Sequence, residues 1–205
     1  VIVSLKITQI FSRDKLTKVT REELSALSNL AYSEGVFSMQ ENRIIQNIID
    51  LKKIKASEIL TPRVVVFLAD ESLDLDSFSK EKNFSKHTRI PVYTNNVENV
   101  TGYVFLQDVI EKMSNKNNNV ILKDLKRQIL TVPNSVNVFS LFNQFLKKKE
   151  HIALIVDEYG GFDGIITMED IIETLLGLEI IDENDQVIDM QLYAKEKWYK
   201  KRDLS

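Results

Sequence analysis

No cysteine occurs among the 205 residues, which removes disulfides, thiol catalysis and cysteine-held zinc or iron–sulfur centres, and fits a reducing compartment. Histidine is nearly as scarce: the two present, His87 and His151, are too few for a histidine metal site. Neither sign of charge prevails. With 27 basic and 30 acidic residues mixed along the chain and a formal charge of −3, there is no cationic field of the kind a nucleic-acid backbone requires, so nucleic acid is not an expected partner. Long hydrophobic runs are missing too. The longest, "VVVFLA" (64–69) and "IALIV" (152–156), are strand-sized and far short of the ~18 residues of a membrane-spanning helix. The chain begins at Val1 with neither a charged leader nor a cleavage signature, and it reads as a piece of a longer protein whose upstream part is free to lie in a membrane.

What is present is a globular composition, 43% apolar, enough for one compact domain or two small ones. The opening "VIVSLKITQIFSRDKL" is weakly amphipathic and reads as a connecting segment, 1–18. Thr20 and Glu23 form a capping box ahead of Leu24, Leu27, Leu30 and Ala31 at helical spacing, with Gly35 as a stop. Ser38 and Glu41 repeat the box before Ile44, Ile45, Ile48 and Ile49. The region 19–55 is thus expected to be an acidic helical hairpin with Glu22, Glu23, Glu34 and Glu41 outside.

From residue 59 short apolar strands alternate with helices, and the pattern occurs twice. "TPRVVVFL" leads through a helix at 72–82 to "TRIPVY" and "TGYVFLQDVIEKM"; "LTVPNSVNV" leads through a helix at 138–149 to "HIALIVDEYGG" and "FDGIITMEDIIETLLG". Gly102 and Gly164 occupy matching places, and Asp108 and Asp170 each follow six residues later at a helix start. The fold class is α+β, a β-α-β-β-α unit repeated twice behind a helical hairpin, with repeats at 56–118 and 119–180 and a tail helix at 181–205. Two such units are expected to pack sheet to sheet and to create two equivalent clefts.

The segment "GIITMED" (164–170) delivers a strand into a helix N-terminus carrying Thr167 and Asp170. Unpaired amides and partial positive charge there suit phosphate, a threonine hydroxyl adds a donor, and an aspartate one turn on can accept from both hydroxyls of a ribose. The same two residues equally fit a plain cap, with Thr167 as the N-cap and Asp170 favoured by the helix dipole. No P-loop and no histidine–carboxylate base is found, so an enzyme is not expected and no catalytic or metal-ligating residue is assigned. The acidic positions of the hairpin, and Asp182, Glu183 and Asp185, are expected to be solvated surface rather than Mg²⁺ ligands. "DEYGG" (157–161) reads as a hairpin turn.

With its G-h-h-T-x-x-D pattern the repeat resembles the CBS domain. "VTREELSALSNLAYSEGVF", "ILTPR", "TRIPVY", "GYVFLQDVI", "ALIVDEYGGFDGIITMEDIIETLLG" and "DEND" resemble, in order and spacing over 19–185, the cytosolic part of the CorC/CNNM, hemolysin C-like family of magnesium and cobalt transport proteins. The resemblance implies a tandem CBS pair that regulates a membrane transporter by binding ATP or AMP, with or without Mg²⁺. It implies a homodimer through the CBS domains, a transmembrane domain upstream, and a place at the cytoplasmic face of the bacterial inner membrane. Carried across, it puts Thr167 and Asp170 at phosphate and ribose, Thr61 and Val66 around the adenine, Thr88, Arg89 and His151 near ribose and phosphates, and Ile165 among the nucleotide-binding residues. Caps, surface charge and strand ends remain the other roles open to Thr61, Arg89 and His151. In the first repeat the place of Thr167 is taken by Phe105, so one competent site per chain is expected. The alternative is a dimerisation scaffold that binds no ligand. The tail "DMQLYAKEKWYKKRDLS", with Trp198 as anchor, looks like the end of a shorter branch of the family that stops after the CBS pair.

Overall fold

The computed structural model describes residues 19–114 and 120–178. They divide into two compact units, the first ending at Ile49 and the second beginning at Asp50. The expectations for 1–18 and for the tail, including Asp182, Glu183, Asp185 and Trp198, lie outside the described residues.

In the first unit α1 (Arg21–Ser33) and α2 (Met39–Asp50) form the hairpin. Both expected capping boxes are made: Thr20 N–H donates to Glu23 Oε2 at 2.9 Å, and Ser38 N–H to Glu41 Oε2 at 2.8 Å. The seam between the helices is polar. Ser28 Oγ donates to Asn42 Oδ1 at 2.5 Å and Ser25 Oγ to Gln46 Oε1 at 2.6 Å, and Ser28 is the residue α1 buries. The leucines fall elsewhere on the wheel. Leu24, Leu27 and Leu30 remain about half exposed, and with Ile45 and Ile48 the first two line an open apolar groove of about 420 Å³.

The second unit holds two sheets. After a single-turn helix α3 (Ala56–Ile59) come β1 (Thr61–Pro62), β2 (Ala69–Asp70), α4 (Leu75–Ser79), β3 (Arg89–Tyr93), β4 (Val100–Phe105) and α5 (Leu106–Ser114). The second repeat supplies β5 (Leu130–Pro133), α6 (Val138–Lys148), β6 (Ile152–Val156), β7 (Phe162–Thr167) and α7 (Met168–Leu176). One sheet has the order β2-β3-β4, the other β1-β7-β6-β5.

Two local expectations are corrected. "VVVFLA" is not a strand: Val65 N–H closes a turn onto Pro62 O, and pairing resumes only at Ala69. The run is spent on packing instead, with the Phe67 ring stacked on Phe78 and on His87. The helix expected at 72–82 is only α4 followed by a 3₁₀ turn (Phe84–Lys86), because the chain doubles back to set Phe84 edge-on to Phe78 at 5.9 Å.

The repetition extends to individual bonds. Leu106 N–H donates to Thr88 O and Met168 N–H to His151 O; Glu71 N–H donates to Tyr93 O and Asn134 N–H to Val156 O. A register shift follows Val92 in β3 and Ile155 in β6, at matching places. Each repeat also builds its own core, Phe78, Ile90, Val92 and Val104 in the first, Phe145, Leu141, Ile155 and Ile166 in the second.

The segments that open the repeats cross over to each other's sheets. β1 opens the first repeat yet pairs with β7 of the second, Thr61 opposite Ile165, while Arg127, early in the second repeat, bridges to Tyr103 of the first. A buried ion pair fastens the latter crossing. Lys126 Nζ lies 2.6 Å from Glu71 Oε2, which also accepts from Thr101 Oγ1 at 2.6 Å, and Glu71 is 6% exposed. The Lys126 and Thr101 donors hold the Glu71 carboxyl below its ordinary 4.5. A depressed carboxyl contributes stability that is full above pH 4.5 and is lost as pH falls through the lower folded-state value. Urea midpoints of the wild type and Glu71→Gln should therefore differ most near neutrality and converge on acidification; a gap independent of pH would contradict this.

Candidate functional site

The exchanged strand builds the site. Where β1 crosses β7, Thr61 stands opposite Ile165 and Pro62 opposite Gly164, and β7 runs without a loop into α7. A Cβ on Gly164 would strike the Thr61 carbonyl oxygen and the Leu60 side chain, so glycine is what allows so close a crossing. The crossing sets Thr61 two register places from the N-terminus of α7.

At that N-terminus Thr167 and Asp170 form a reciprocal cap. Asp170 Oδ2 accepts from Thr167 N–H at 2.6 Å and from Thr167 Oγ1 at 2.9 Å, and Asp170 N–H donates to Thr167 Oγ1 at 3.4 Å. Both side chains are half-buried. The bonds fix the carboxylate at the mouth of the helix, and Gly177, at φ 65°, ends α7 three turns on with its N–H on Glu173 O. Capping and ligand holding are compatible here, since a cap presents a carboxylate and a hydroxyl in one orientation next to a positive dipole.

His151 is exposed at the start of β6, one register place from Ile152, which faces Thr167, and its carbonyl receives the Met168 N–H at 3.0 Å. Thr61, Ile165, Thr167, Asp170 and His151 are therefore brought together. Val66 lies half-buried beyond the Pro62–Val65 turn. Arg89 opens β3 of the other sheet, with Thr88 just ahead of it: Arg89 faces Phe105 in the β3–β4 register, and its guanidinium lies 5.5 Å from the Phe105 ring centre. By the repeat, Thr88 corresponds to His151 and Arg89 to Ile152, so these two border the equivalent cleft of the first repeat.

That equivalent cleft contains Phe105 and Asp108 in the places of Thr167 and Asp170. It also contains a residue the sequence reading did not single out. Arg127 corresponds to Thr61, and its Nη2 donates to Asp108 Oδ2 at 2.5 Å. The available signal was weak: only aligning "LTP" at 60–62 with "KRQ" at 126–128 places Arg127 there, and nothing in those residue types invites the alignment. Among the described residues no group of three or more histidine and carboxylate side chains is arranged to hold a metal ion.

Comparison with known proteins agrees with this architecture. Residues 122–177 match the family model of the CBS domain, so the second repeat is a CBS domain, and the pair has the fold of solved CBS pairs. The chain is 34% identical to UPF0053 protein sll1254 of Synechocystis over 94% of its length, covering 56% of that protein. It is 38% identical to Hemolysin C of Brachyspira hyodysenteriae over 71% of its length, covering 53% of that protein. The CBS domain of the bacterial CNNM/CorC family Mg²⁺ transporter superposes with a TM-score of 0.75 at 28% identity, covering 80% of this chain and 99% of that one. The same domain in complex with ATP gives 0.64 at 27% identity, covering 68% and 99%. The chain thus contains a CBS domain within a fold of mixed helix and sheet. Its relatives are of the hemolysin C and CorC-like kind, and its structural neighbours are the CBS domains of CorC/CNNM Mg²⁺ transporters. It spans about half the length of the curated relatives it matches. No helix among the described residues is long and apolar enough to cross a membrane.

Proposed function

We propose that this chain is the cytosolic regulatory module of a CorC/CNNM-like Mg²⁺ or Co²⁺ transport protein, and that it senses an adenine nucleotide by binding it at the β1–β7 crossing. The observation that carries the proposal is the placement of Thr61 across from Ile165 beside the Thr167–Asp170 cap. An adenine would lie along Thr61, Val66 and Ile165, Asp170 would take the ribose hydroxyls, and Thr167 with the helix N-terminus would meet phosphate. The complex of a structural neighbour with ATP supports ATP as the first ligand to try. AMP is the second, and Mg²⁺ would travel with the phosphates rather than with protein carboxylates.

The work assigned to the site is occupancy, not turnover. Bound nucleotide would alter how two CBS pairs associate in a homodimer, which requires unequal affinity for two packings. The hairpin would pass that difference to an upstream membrane domain at the cytoplasmic face of the bacterial membrane. Calorimetric titration with ATP, ADP and AMP, with and without Mg²⁺, tests the reading. Asp170→Ala removes charge-assisted bonds to the ribose and should weaken binding by roughly tenfold to a hundredfold, and Thr167→Ile should do the same by filling the phosphate approach. A chain that binds none of the three nucleotides at millimolar concentration, while sedimenting as a dimer, would instead be a scaffold.

A further inference from the structure

We propose that Arg127 is a built-in occupant of the first repeat's cleft, holding with its own guanidinium the carboxylate and the ring face that a nucleoside would otherwise meet. The proposal rests on the nucleotide reading of the second repeat, because it takes the place of each residue there as its measure. Arg127 stands where Thr61 stands in the other cleft, set by a two-bond bridge: Arg127 N–H to Tyr103 O at 2.8 Å and Tyr103 N–H to Arg127 O at 3.0 Å. From that backbone position its side chain reaches both features of the cleft. Nη2 bonds Asp108 Oδ2 at 2.5 Å, and the guanidinium carbon lies 5.3 Å from the Phe105 ring centre.

A planar guanidinium is suited to this role, since it can pair with a carboxylate while stacking on an aromatic ring. Asp108, the counterpart of the ribose-holding Asp170, is thereby engaged by the chain itself. Phe105 contributes volume where the second repeat has the small hydroxyl of Thr167. Arg89 lies against the same ring at 5.5 Å, so two cations frame it. The Arg127 side chain is 51% exposed, which places it at the mouth of the cleft and not in the core. Its removal therefore leaves the fold's packing in place. Asymmetry between two clefts built on one pattern then follows from three residues, Phe105, Arg89 and Arg127, and the chain takes one nucleotide.

The test compares the wild type with Phe105→Thr/Arg127→Thr, which restores the second repeat's residues, by titration with ATP and Mg²⁺. The expected result is a rise from one equivalent per chain to two in the double variant. One equivalent in both proteins, or two already in the wild type, overturns the plug and leaves the nucleotide reading standing. No binding by either protein overturns both. No binding by the wild type with one equivalent in the double variant keeps the plug and removes the assignment of the second repeat's cleft. A second measurement needs no nucleotide and only one conservative change. The Arg127 side-chain N–H signal should be protected from solvent exchange in the wild type and lose that protection in Asp108→Asn; equal exchange in the two proteins overturns the proposal.

Discussion

Gly164→Ala is expected to weaken nucleotide binding about tenfold or more without changing the side chain of any residue assigned to the ligand. The new Cβ would run into the Thr61 carbonyl oxygen and the Leu60 side chain, and backbone cannot swing aside as a flexible side chain can. β1 pairs with β7 through only two residues, so a small displacement dissolves the pairing that sets Thr61 beside α7. Overpacking of this kind costs about 1–3 kcal/mol, and affinity should fall by about tenfold or more as the cleft opens. Gly102→Ala is the internal control. Its Cβ would meet the Arg127 carbonyl oxygen and Lys126, the matching crossing of the first repeat. It should lower the melting temperature to a similar extent while the Thr61–Thr167 cleft keeps its affinity. Equal loss of binding in both variants would mean that general destabilisation, not the crossing, governs the site.

The second large effect concerns the cores. Phe145 and Phe78 are both fully buried, each at the centre of its own repeat. Truncation of a buried phenylalanine to alanine costs about 3–5 kcal/mol, a large part of the 5–15 kcal/mol that a domain of this kind possesses. Phe145→Ala and Phe78→Ala should each lower the urea midpoint accordingly. The crossed-over segments make a further prediction: both variants should still unfold in a single transition followed by any probe, because each sheet region depends on chain from the other repeat. Two separated transitions in either variant would show the repeats to be independent.

Much of this was legible in the sequence because it rests on local chemistry. The two capping boxes of the hairpin, the Thr167–Asp170 pair and the equivalence of Gly102 with Gly164 follow from spacing alone, since caps and helix starts are made within four residues. What failed was decided at longer range. "VVVFLA" has the composition of a strand, yet its Phe67 packs on Phe78 of α4 and on His87 beyond it, and packing outweighs β-propensity. Leu24, Leu27 and Leu30 mark α1 by their spacing, but the polar seam of Ser25, Ser28, Asn42 and Gln46, which leaves these leucines about half exposed, exists only once the two helices meet. Arg127 escaped notice because its importance is positional. A surface-type residue in a linker acquires a role only when a bridge 24 residues away in sequence, 127 to 103, sets it against Asp108.

The crossover of the opening segments also constrains how the molecule comes into being. Thr61 leaves the ribosome 104 residues ahead of its partner Ile165, counting from 61 to 165, and until then β1 has nothing to pair with. Such a contact is formed late, because closing a long loop costs entropy before any bond repays it. The first repeat can collapse around Phe78 during synthesis, whereas the cleft at the β1–β7 crossing exists only once β7 and the start of α7 have been made. A chain cut short before residue 165 would thus carry Thr61 on an unpaired edge, exposed to the same kind of strand in a neighbouring nascent chain.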